Sequence, residues 1–196
     1  GNELSQLMKN ADTAMYHAKE RGKNNFQFYQ ADMNASALER LELESDLRHA
    51  LEQQEFILFY QPQFSGDGKR LTGVEALLRW NSKEMGKVGP DVFIPLAEES
   101  GQIIEIGEWV LKEAIATLSR WHELGLNHLS MSINVSAIQL QRAKLVQSIS
   151  SLVEQYAVPE YCIELEITES MVLNQSNQPL ANLWALKDLG VSLSLD

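Results

Sequence analysis

The chain has 196 residues, of which 44% are hydrophobic and 22% are charged, a composition that excludes disordered, collagen-like and fibrous proteins. Its 27 acidic residues outnumber the 16 basic ones, and the net charge of −11 argues against sequence-independent binding to a nucleic-acid polymer. The sequence shows no run of 18 apolar residues and no signal-peptide pattern, and its single cysteine, Cys162, is typical of a reducing compartment. We therefore expect a cytoplasmic segment that makes no membrane contact.

The first 30 residues predict one helix and one strand. Apolar residues recur every three or four positions over residues 4–19, which is the period of an amphipathic helix. Gly22 is placed to end this helix, and residues 26–29 (Phe-Gln-Phe-Tyr) are typical of a short strand. One helix and one strand cannot bury a core, so residues 1–30 are interpreted as the tail of a domain whose body lies outside the sequence.

The rest of the chain predicts strands that alternate with helices. Residues 31–54 are assigned to a linker and a helix over about 35–54, and residues 55–196 to the domain that follows. Strands are predicted at 56–63, 72–80, 129–135, 162–168 and 191–196, and helices at about 92–99, 104–124, 142–156 and 179–189. This alternation predicts a largely parallel α/β sheet, in either a doubly wound fold or a barrel.

Four of the predicted strands carry an oxygen-bearing side chain on a polar face. Side chains alternate across a strand, so each strand divides into an apolar face and an opposite face. The opposite faces carry Glu75, Asn134, Glu166 and Asp196, one on each strand, at or beyond the middle of the strand. In a barrel, such groups gather at the rim formed by the carboxyl ends of the strands.

Three carboxylates at one rim would repel one another, and a divalent cation would remove that repulsion. Three carboxylates and one amide form an all-oxygen set, which suits Mg²⁺ or Mn²⁺ better than Zn²⁺. For any single carboxylate the alternative is an ion pair with an arginine, or a place on a solvated face of the sheet. Four such groups at equivalent positions favour a metal site, whereas Glu164 is assigned a structural role.

Five short strings occur in a fixed order along the predicted domain. They are Tyr-Gln-Pro-Gln (60–63), Gly-Val-Glu-Ala-Leu-Leu-Arg-Trp (73–80), Phe-Ile-Pro-Leu-Ala-Glu-Glu-Ser-Gly (93–101), Ile-Asn-Val-Ser (133–136) and Glu-Ile-Thr-Glu-Ser (166–170). In order and approximate spacing they resemble the EAL family of cyclic-di-GMP phosphodiesterases. Residues 11–24 resemble the last helix of the GGDEF diguanylate cyclase domain, which commonly precedes an EAL domain.

The resemblance implies a TIM-like (β/α) barrel that hydrolyses cyclic-di-GMP to the linear dinucleotide pGpG in bacterial second-messenger signalling. It implies two bound Mg²⁺ or Mn²⁺ ions. By motif, the residues that match the family's metal ligands are Glu75, Asn134, Glu166 and Asp196, and Glu75 is thereby a catalytic residue.

The resemblance also implies substrate contacts and a homodimer. Glu169 matches the glutamate that holds the substrate-site and dimerisation loop in place and is counted as catalytic, while Gln61 and Arg79 match substrate contacts. Arg79 falls on the same strand face as Glu75, four residues further on, where its guanidinium can meet a phosphate as a fork of donors.

The sequence departs from the family's pattern at Asp196, where the family continues with a second aspartate, a lysine and a later glutamate. A complete barrel needs about 250 residues. The resemblance therefore covers about five of eight strands, and we expect these 196 residues alone to be inactive and prone to association.

The rival interpretation is a non-catalytic EAL module that acts as a cyclic-di-GMP receptor or a protein-interaction domain. Against it, the chain retains each family metal ligand that falls within its length.

Overall fold

A computed structural model of the protein describes residues 4–20, 24–30, 32–168 and 177–195. The chain divides into two compact units, Gly1–Arg48 and His49–Asp196. The first unit begins with α1 (Leu4–Glu20), which confirms the predicted helix. Among the side chains of α1 whose burial is described, Ala14 and Ala18 are buried, whereas most of the larger apolar side chains of the predicted stripe are exposed.

The predicted strand at 26–29 is wrong. Residues 25–30 have irregular backbone, because no strand in the described part of the first unit lies beside them to form a hydrogen-bonded ladder. Phe26 and Phe28 are exposed and contact each other edge-to-face, with ring centroids 5.5 Å apart. Gly22, predicted to end α1, lies outside the described residues.

The second helix, α2 (Asp32–Ala50), begins and ends earlier than the helix predicted at about 35–54. Gln54 adopts a left-handed conformation with φ of 57°. The backbone N–H of Glu55 then donates to the carbonyl of Ala50 at 3.0 Å, which closes the helix in the manner of a Schellman turn. The period of the apolar residues does not indicate where such a turn begins. The predicted C-terminal end of the helix, at 54, is therefore later than the observed end at Ala50.

The second unit is built on a sheet that contains six strands among the described residues. The strands are β1 (Phe56–Phe64), β2 (Leu71–Ser82), β3 (Gly86–Val88), β4 (Ser130–Asn134), β5 (Ile163–Ile167) and β6 (Ser192–Leu195). Their order is β1-β2-β4-β5-β6, with β3 also paired to β2. The five strands predicted for this unit are therefore confirmed, and β3, which has three residues, is the one described strand of the unit without a prediction.

The sheet is mixed, although four of its six described strands run parallel, as expected of a largely parallel sheet. Strands β2, β4, β5 and β6 run parallel, whereas β1 and β3 are antiparallel to β2. The turn between β1 and β2 closes through Ser65 N–H, which donates to the carbonyl of Arg70 at 2.8 Å. So short a connection cannot hold the crossover helix that parallel neighbours require. Within the described residues the sheet is open, with β1 and β6 at its edges, so a closed barrel is not observed.

Helices cover the apolar face of the sheet. They are α3 (Pro90–Ser100), α4 (Ile103–Glu123), α5 (Ala137–Leu140), α6 (Lys144–Tyr156) and α7 (Asn177–Leu189), with one turn of 3₁₀ helix at Glu160–Cys162. The four longer helices confirm the prediction, whereas α5 and the 3₁₀ turn are too short to show a helical period. Helix α4 lies at the centre of this layer, where it contacts α3, α5, α6 and β4. None of the described helices is both long and apolar enough to cross a membrane.

A cluster of aromatic rings fixes β2 against the helices. Phe56, Trp80 and Phe93 are buried, and their ring centroids lie 5.8–6.0 Å apart. The indole N–H of Trp80 donates to Oε2 of the buried Glu55 at 3.0 Å, and the backbone N–H of Lys83 donates to Oε1 at 3.2 Å. The buried carboxylate is thus stabilised by two donors, and both hold β2 in place.

We predict that Trp80→Phe destabilises the protein by about 2–3 kcal/mol, because a buried carboxylate loses one of its donors. The free energy of unfolding in urea measures this cost. A double-mutant cycle with Glu55→Ala, which removes the acceptor, separates the hydrogen bond from the lost ring volume. The matched control is Trp184→Phe, since Trp184 is 63% exposed and its replacement should change stability by less than about 1 kcal/mol. Equal stabilities for Trp80→Phe and the wild type would contradict the assignment.

Candidate functional site

The candidate site lies on the polar face of the sheet, by which we mean the side that carries Glu75, Asn134, Glu164 and Glu166. In the parallel ladders Glu75 is level with Ser132, Ser132 with Glu164, and Asn134 with Glu166. Paired residues on neighbouring strands point to the same side of a sheet, so these side chains form two adjacent rows. Three of the four predicted metal ligands therefore share one face.

Glu75 is the fifth of the twelve residues of β2, before the middle of the strand, whereas the sequence predicts a position at or beyond the middle. Strand β2 continues for seven residues beyond it, to Ser82, because its far end pairs with β3. Glu75 consequently sits one row below Asn134, which is the last residue of β4. The amide Nδ2 of Asn134 closes this gap by donating to Oε1 of Glu75 at 2.8 Å. The two predicted ligands are in direct contact despite their different rows.

The Glu166 carboxyl is crowded by other carboxylates. Burial makes the largest contribution to raising its pKa above the ordinary value, and the negative charge of Glu75 raises the pKa further. Glu164 acts in the same direction, while a hydrogen bond with Ser132 opposes the shift. The charged form of Glu166 is therefore disfavoured until a positive charge approaches.

This donor set fits a divalent cation. Glu75 and Glu166 supply carboxylate oxygens and Asn134 supplies an amide oxygen, which are the ligand types that Mg²⁺ and Mn²⁺ prefer. A cation would also offset the repulsion that raises the pKa of Glu166. No group of three or more His, Cys, Asp or Glu side chains converges in the part of the chain that the structure describes. Asp196, the fourth predicted ligand, and Glu169 lie outside the described residues.

A hydrogen-bonded layer runs through Ser132 and Glu164, which are level with Glu75, and no site role is predicted for it. Nε2 of Gln63 donates to Oγ of Ser132 at 3.3 Å, and Ser132 Oγ donates to Oε2 of Glu164 at 3.4 Å. Ser132 is fully buried, so its hydroxyl connects three strands from inside the sheet's polar side. The alternation of Ser132 with Asn134 along β4 is the signal that could have identified this layer.

The two predicted substrate residues lie on the same side of the sheet as Glu75. Gln61 is exposed and lies directly opposite Glu75 in the antiparallel β1–β2 pair. Arg79 is half-buried, and its Nη1 donates to the carbonyl of Leu78 at 2.8 Å. The guanidinium also lies over the ring of Phe59, with Cζ 5.6 Å from the centroid. Arg79 is thus held on the Glu75 side of β2 by its own strand and by a neighbouring aromatic ring.

A cavity of about 270 Å³ opens beside Asn134 and Arg79. Its apolar wall includes Leu77, Ile94 and Ile103. The carboxyl of Glu98 also lines the cavity, and its pKa is raised first by burial and then by the charge of Glu99. Carboxylates for a cation, a guanidinium for an anion and an apolar cavity together suit a phosphate ester that carries a bulky organic group.

Sequence comparison relates this chain to proteins of cyclic-di-GMP metabolism. The family model described as "EAL domain" matches residues 44–196. The chain is 40% identical over 196 residues to the bifunctional diguanylate cyclase/cyclic di-GMP phosphodiesterase MucR of Pseudomonas aeruginosa. It is 34% identical over 197 aligned residues to the cyclic di-GMP phosphodiesterase PdeR of Escherichia coli. Both alignments cover 100% of this chain and 29% of the relative, so the chain spans less than a third of their length.

Solved structures show the same fold. PaMucR phosphodiesterase in its c-di-GMP complex has a TM-score of 0.76 at 37% identity, over 79% of this chain and 63% of that chain. The EAL enzyme Bd1971 in its cAMP and cyclic-di-GMP bound form has a TM-score of 0.75 at 30% identity, over 100% of this chain and 51% of that chain. The mixed sheet and its helical layer are therefore of the EAL type.

We predict that Glu166→Gln stabilises the metal-free protein at neutral pH, because it removes a carboxylate charge that burial and Glu75 disfavour. The gain should be less than about 1 kcal/mol, as is usual for partly exposed charges. The pKa of Glu166 is higher in the folded protein than its ordinary value of 4.5. The charged carboxylate therefore lowers the stability of the wild type fully above the folded pKa, and this loss of stability disappears as the pH falls below 4.5. Urea unfolding from pH 7 to pH 4 in a chelating buffer measures the difference.

The matched control for this test is Glu154→Gln, which makes the same chemical change at an exposed position on α6. It should leave stability unchanged. A Glu166→Gln protein that is less stable than the wild type at pH 7 would show that the carboxylate stabilises the fold, contrary to the repulsion described above.

Proposed function

This chain belongs to the EAL domain family, and we propose that its function is hydrolysis of cyclic-di-GMP. Water attacks one phosphorus of the cyclic dinucleotide, the bond to the 3′ oxygen breaks, and that oxygen takes a proton, so that linear pGpG is released. The observation that carries the proposal is the convergence of Glu75, Asn134 and Glu166 on one face, with the Asn134–Glu75 hydrogen bond at 2.8 Å. The chain spans less than a third of the length of MucR and of PdeR. The proposed function is therefore that of this site and does not extend to segments outside the chain.

Glu75, Asn134 and Glu166 are proposed to hold a divalent cation, Mg²⁺ or Mn²⁺, together with Asp196. A second ion completes the site in this proposal, as the family resemblance implies. When bound, the ions supply an acidified water molecule and positive charge at the phosphate oxygens. The protein's own contribution is to hold two carboxylates close together against their repulsion, which the raised pKa of Glu166 reflects.

Arg79 and Gln61 are proposed to bind the substrate. The chain's net charge of −11 repels an anionic dinucleotide, so binding requires a local positive group near the site. Arg79 donates one bond to its own strand, and a guanidinium has five donors in a planar fork that matches phosphate geometry. The ring of Phe59 restricts the guanidinium, which lowers the entropy lost when it binds a phosphate. Gln61 lies opposite Glu75, where its amide can contact the same phosphodiester.

The family resemblance also suggests roles for residues 1–30 and for Glu169. Residues 1–30 are proposed to be the C-terminal remnant of a GGDEF domain, which is supported by an alignment that covers this whole chain with a bifunctional cyclase/phosphodiesterase. Glu169 is proposed to hold the substrate-site and dimerisation loop of a cytoplasmic homodimer.

The rival function is a receptor that binds cyclic-di-GMP without hydrolysing it. Both functions need Arg79 and the adjacent cavity, but a receptor has no need of paired carboxylates beside an amide. The contact between Asn134 and Glu75, next to Glu166, therefore favours the enzyme.

We predict that Glu75→Ala in the intact protein lowers Mg²⁺-dependent formation of pGpG by at least about 100-fold, because a metal ligand is lost. Chromatographic quantification of pGpG measures the rate, and far-UV circular dichroism checks the fold. The matched control is Glu154→Ala, which removes an exposed carboxylate from α6 and should keep full activity. Undiminished turnover by folded Glu75→Ala would contradict the metal role. Wild-type protein that binds cyclic-di-GMP in Mg²⁺ but forms no pGpG would identify the receptor instead.

A further inference from the structure

Gly107 occupies a position where glycine is costly. It lies inside α4, four residues after the helix begins, where glycine is less favourable than alanine. Its φ is not positive, so a left-handed backbone does not account for it. The residue is buried. A local requirement for space is the remaining physical reason for a glycine at this site.

The neighbour that needs this space is Gln139. A Cβ built on Gly107 would lie 2.6 Å from Cδ of Gln139 and closer still to its Nε2, so no larger residue fits without displacing the amide. Gln139 is only 7% exposed. The amide of a long polar side chain is therefore inserted against the bare backbone of α4.

Gln139 uses this position to cap the short helix that follows β4. Its Oε1 accepts a hydrogen bond from the backbone N–H of Ser136 at 3.0 Å, and Oγ of Ser136 accepts one from the backbone N–H of Gln139 at 3.3 Å. These reciprocal bonds form a capping box. Helix α5 has only four residues, too few to be stable alone, so the capping box and its packing against α4 determine how it is oriented.

The capping box begins two residues after Asn134. Between them, the backbone N–H of Val135 donates to the carbonyl of Glu166 at 3.0 Å, which ties the end of β4 to β5. The chain that leaves Asn134 is thus held at two successive points, first by β5 and then by Gln139. Both points restrict where the Asn134 amide can lie relative to Glu75.

We propose that Gln139 is a positioning residue for Asn134, and that Gly107 provides the space without which Gln139 cannot act. The inference rests on the proposed function only in taking Asn134 as a metal ligand. Gln139 does not touch the proposed metal or substrate. It acts through the backbone of residues 134–139, by keeping the Asn134 amide where it bonds Glu75 and faces Glu166.

A second contact on α5 supplies a control. Nδ2 of Asn182, on α7, donates to the carbonyl of Leu140 at 2.7 Å and to that of Arg142 at 3.2 Å. This contact holds the far end of α5, away from Asn134. Asn182→Ala should therefore lower stability without moving the Asn134 amide, whereas disturbance of Gln139 should move it.

The test compares Gly107→Ala, Gln139→Met, Gln139→Glu and Asn182→Ala with the wild type. We expect Gly107→Ala and Gln139→Met to shift the side-chain amide ¹H–¹⁵N resonance of Asn134 and to weaken Mn²⁺ binding by about tenfold or more. Gln139→Glu retains the acceptor oxygen and should keep the resonance near its wild-type position. Isothermal titration with Mn²⁺ alone measures the affinity, and thermal unfolding reports stability.

An Asn134 resonance and an Mn²⁺ affinity unchanged in folded Gly107→Ala would overturn the proposal. Equal shifts in Gly107→Ala and Asn182→Ala would also overturn it, because they would indicate a general loosening of α5. Gln139→Met decides the question if Gly107→Ala fails to fold. The side-chain resonance of Asn134 can be measured without metal or substrate. Wild-type protein that fails to bind Mn²⁺ or to form pGpG would therefore count against the proposed function, while the comparison of Asn134 resonances would still test the role of Gln139.

Discussion

The repulsion between two carboxylates on one face of a sheet is the constraint on which the rest of this site depends. Glu75 and Glu166 lie on different strands, and each could have remained charged at lower cost on a solvated surface. Partial burial and mutual proximity instead raise the pKa of Glu166. Such an arrangement persists only where the surrounding fold compensates for it, and a bound divalent cation would relieve the repulsion. The Asn134 amide, which is proposed to supply an oxygen ligand, donates a hydrogen bond to Glu75.

The fold compensates through rigid support on both sides of the sheet. On the apolar side, the ring cluster and the buried Trp80–Glu55 hydrogen bond hold β2, which carries Glu75 and Arg79. On the polar side, Ser132 links β1 and β5 through Gln63 and Glu164. The carboxylates are therefore placed by packing and hydrogen bonds within the protein.

Much of this arrangement follows from the period of the sequence. The alternation along β4 and β5 correctly places Asn134 and Glu166 on one face, because side-chain direction depends only on a residue's position in its strand. Strand direction and register do not follow from period, since they come from pairing with distant segments. The lower row of Glu75 is missed for this reason. The helical period also misses α5, which is too short to show one, although the residues of its capping box are adjacent in the sequence.

Diffraction from crystals grown with Mn²⁺ tests the central claim most directly, because anomalous scattering locates the ion without reference to activity. The repulsion between Glu75 and Glu166 predicts an anomalous peak bounded by Glu75, Asn134 and Glu166. Their oxygens should lie at about 2.1 Å from the ion, close to the distance typical of Mg²⁺ sites. An Mn²⁺ peak elsewhere in the protein, with these three side chains arranged as they are without metal, would contradict the account.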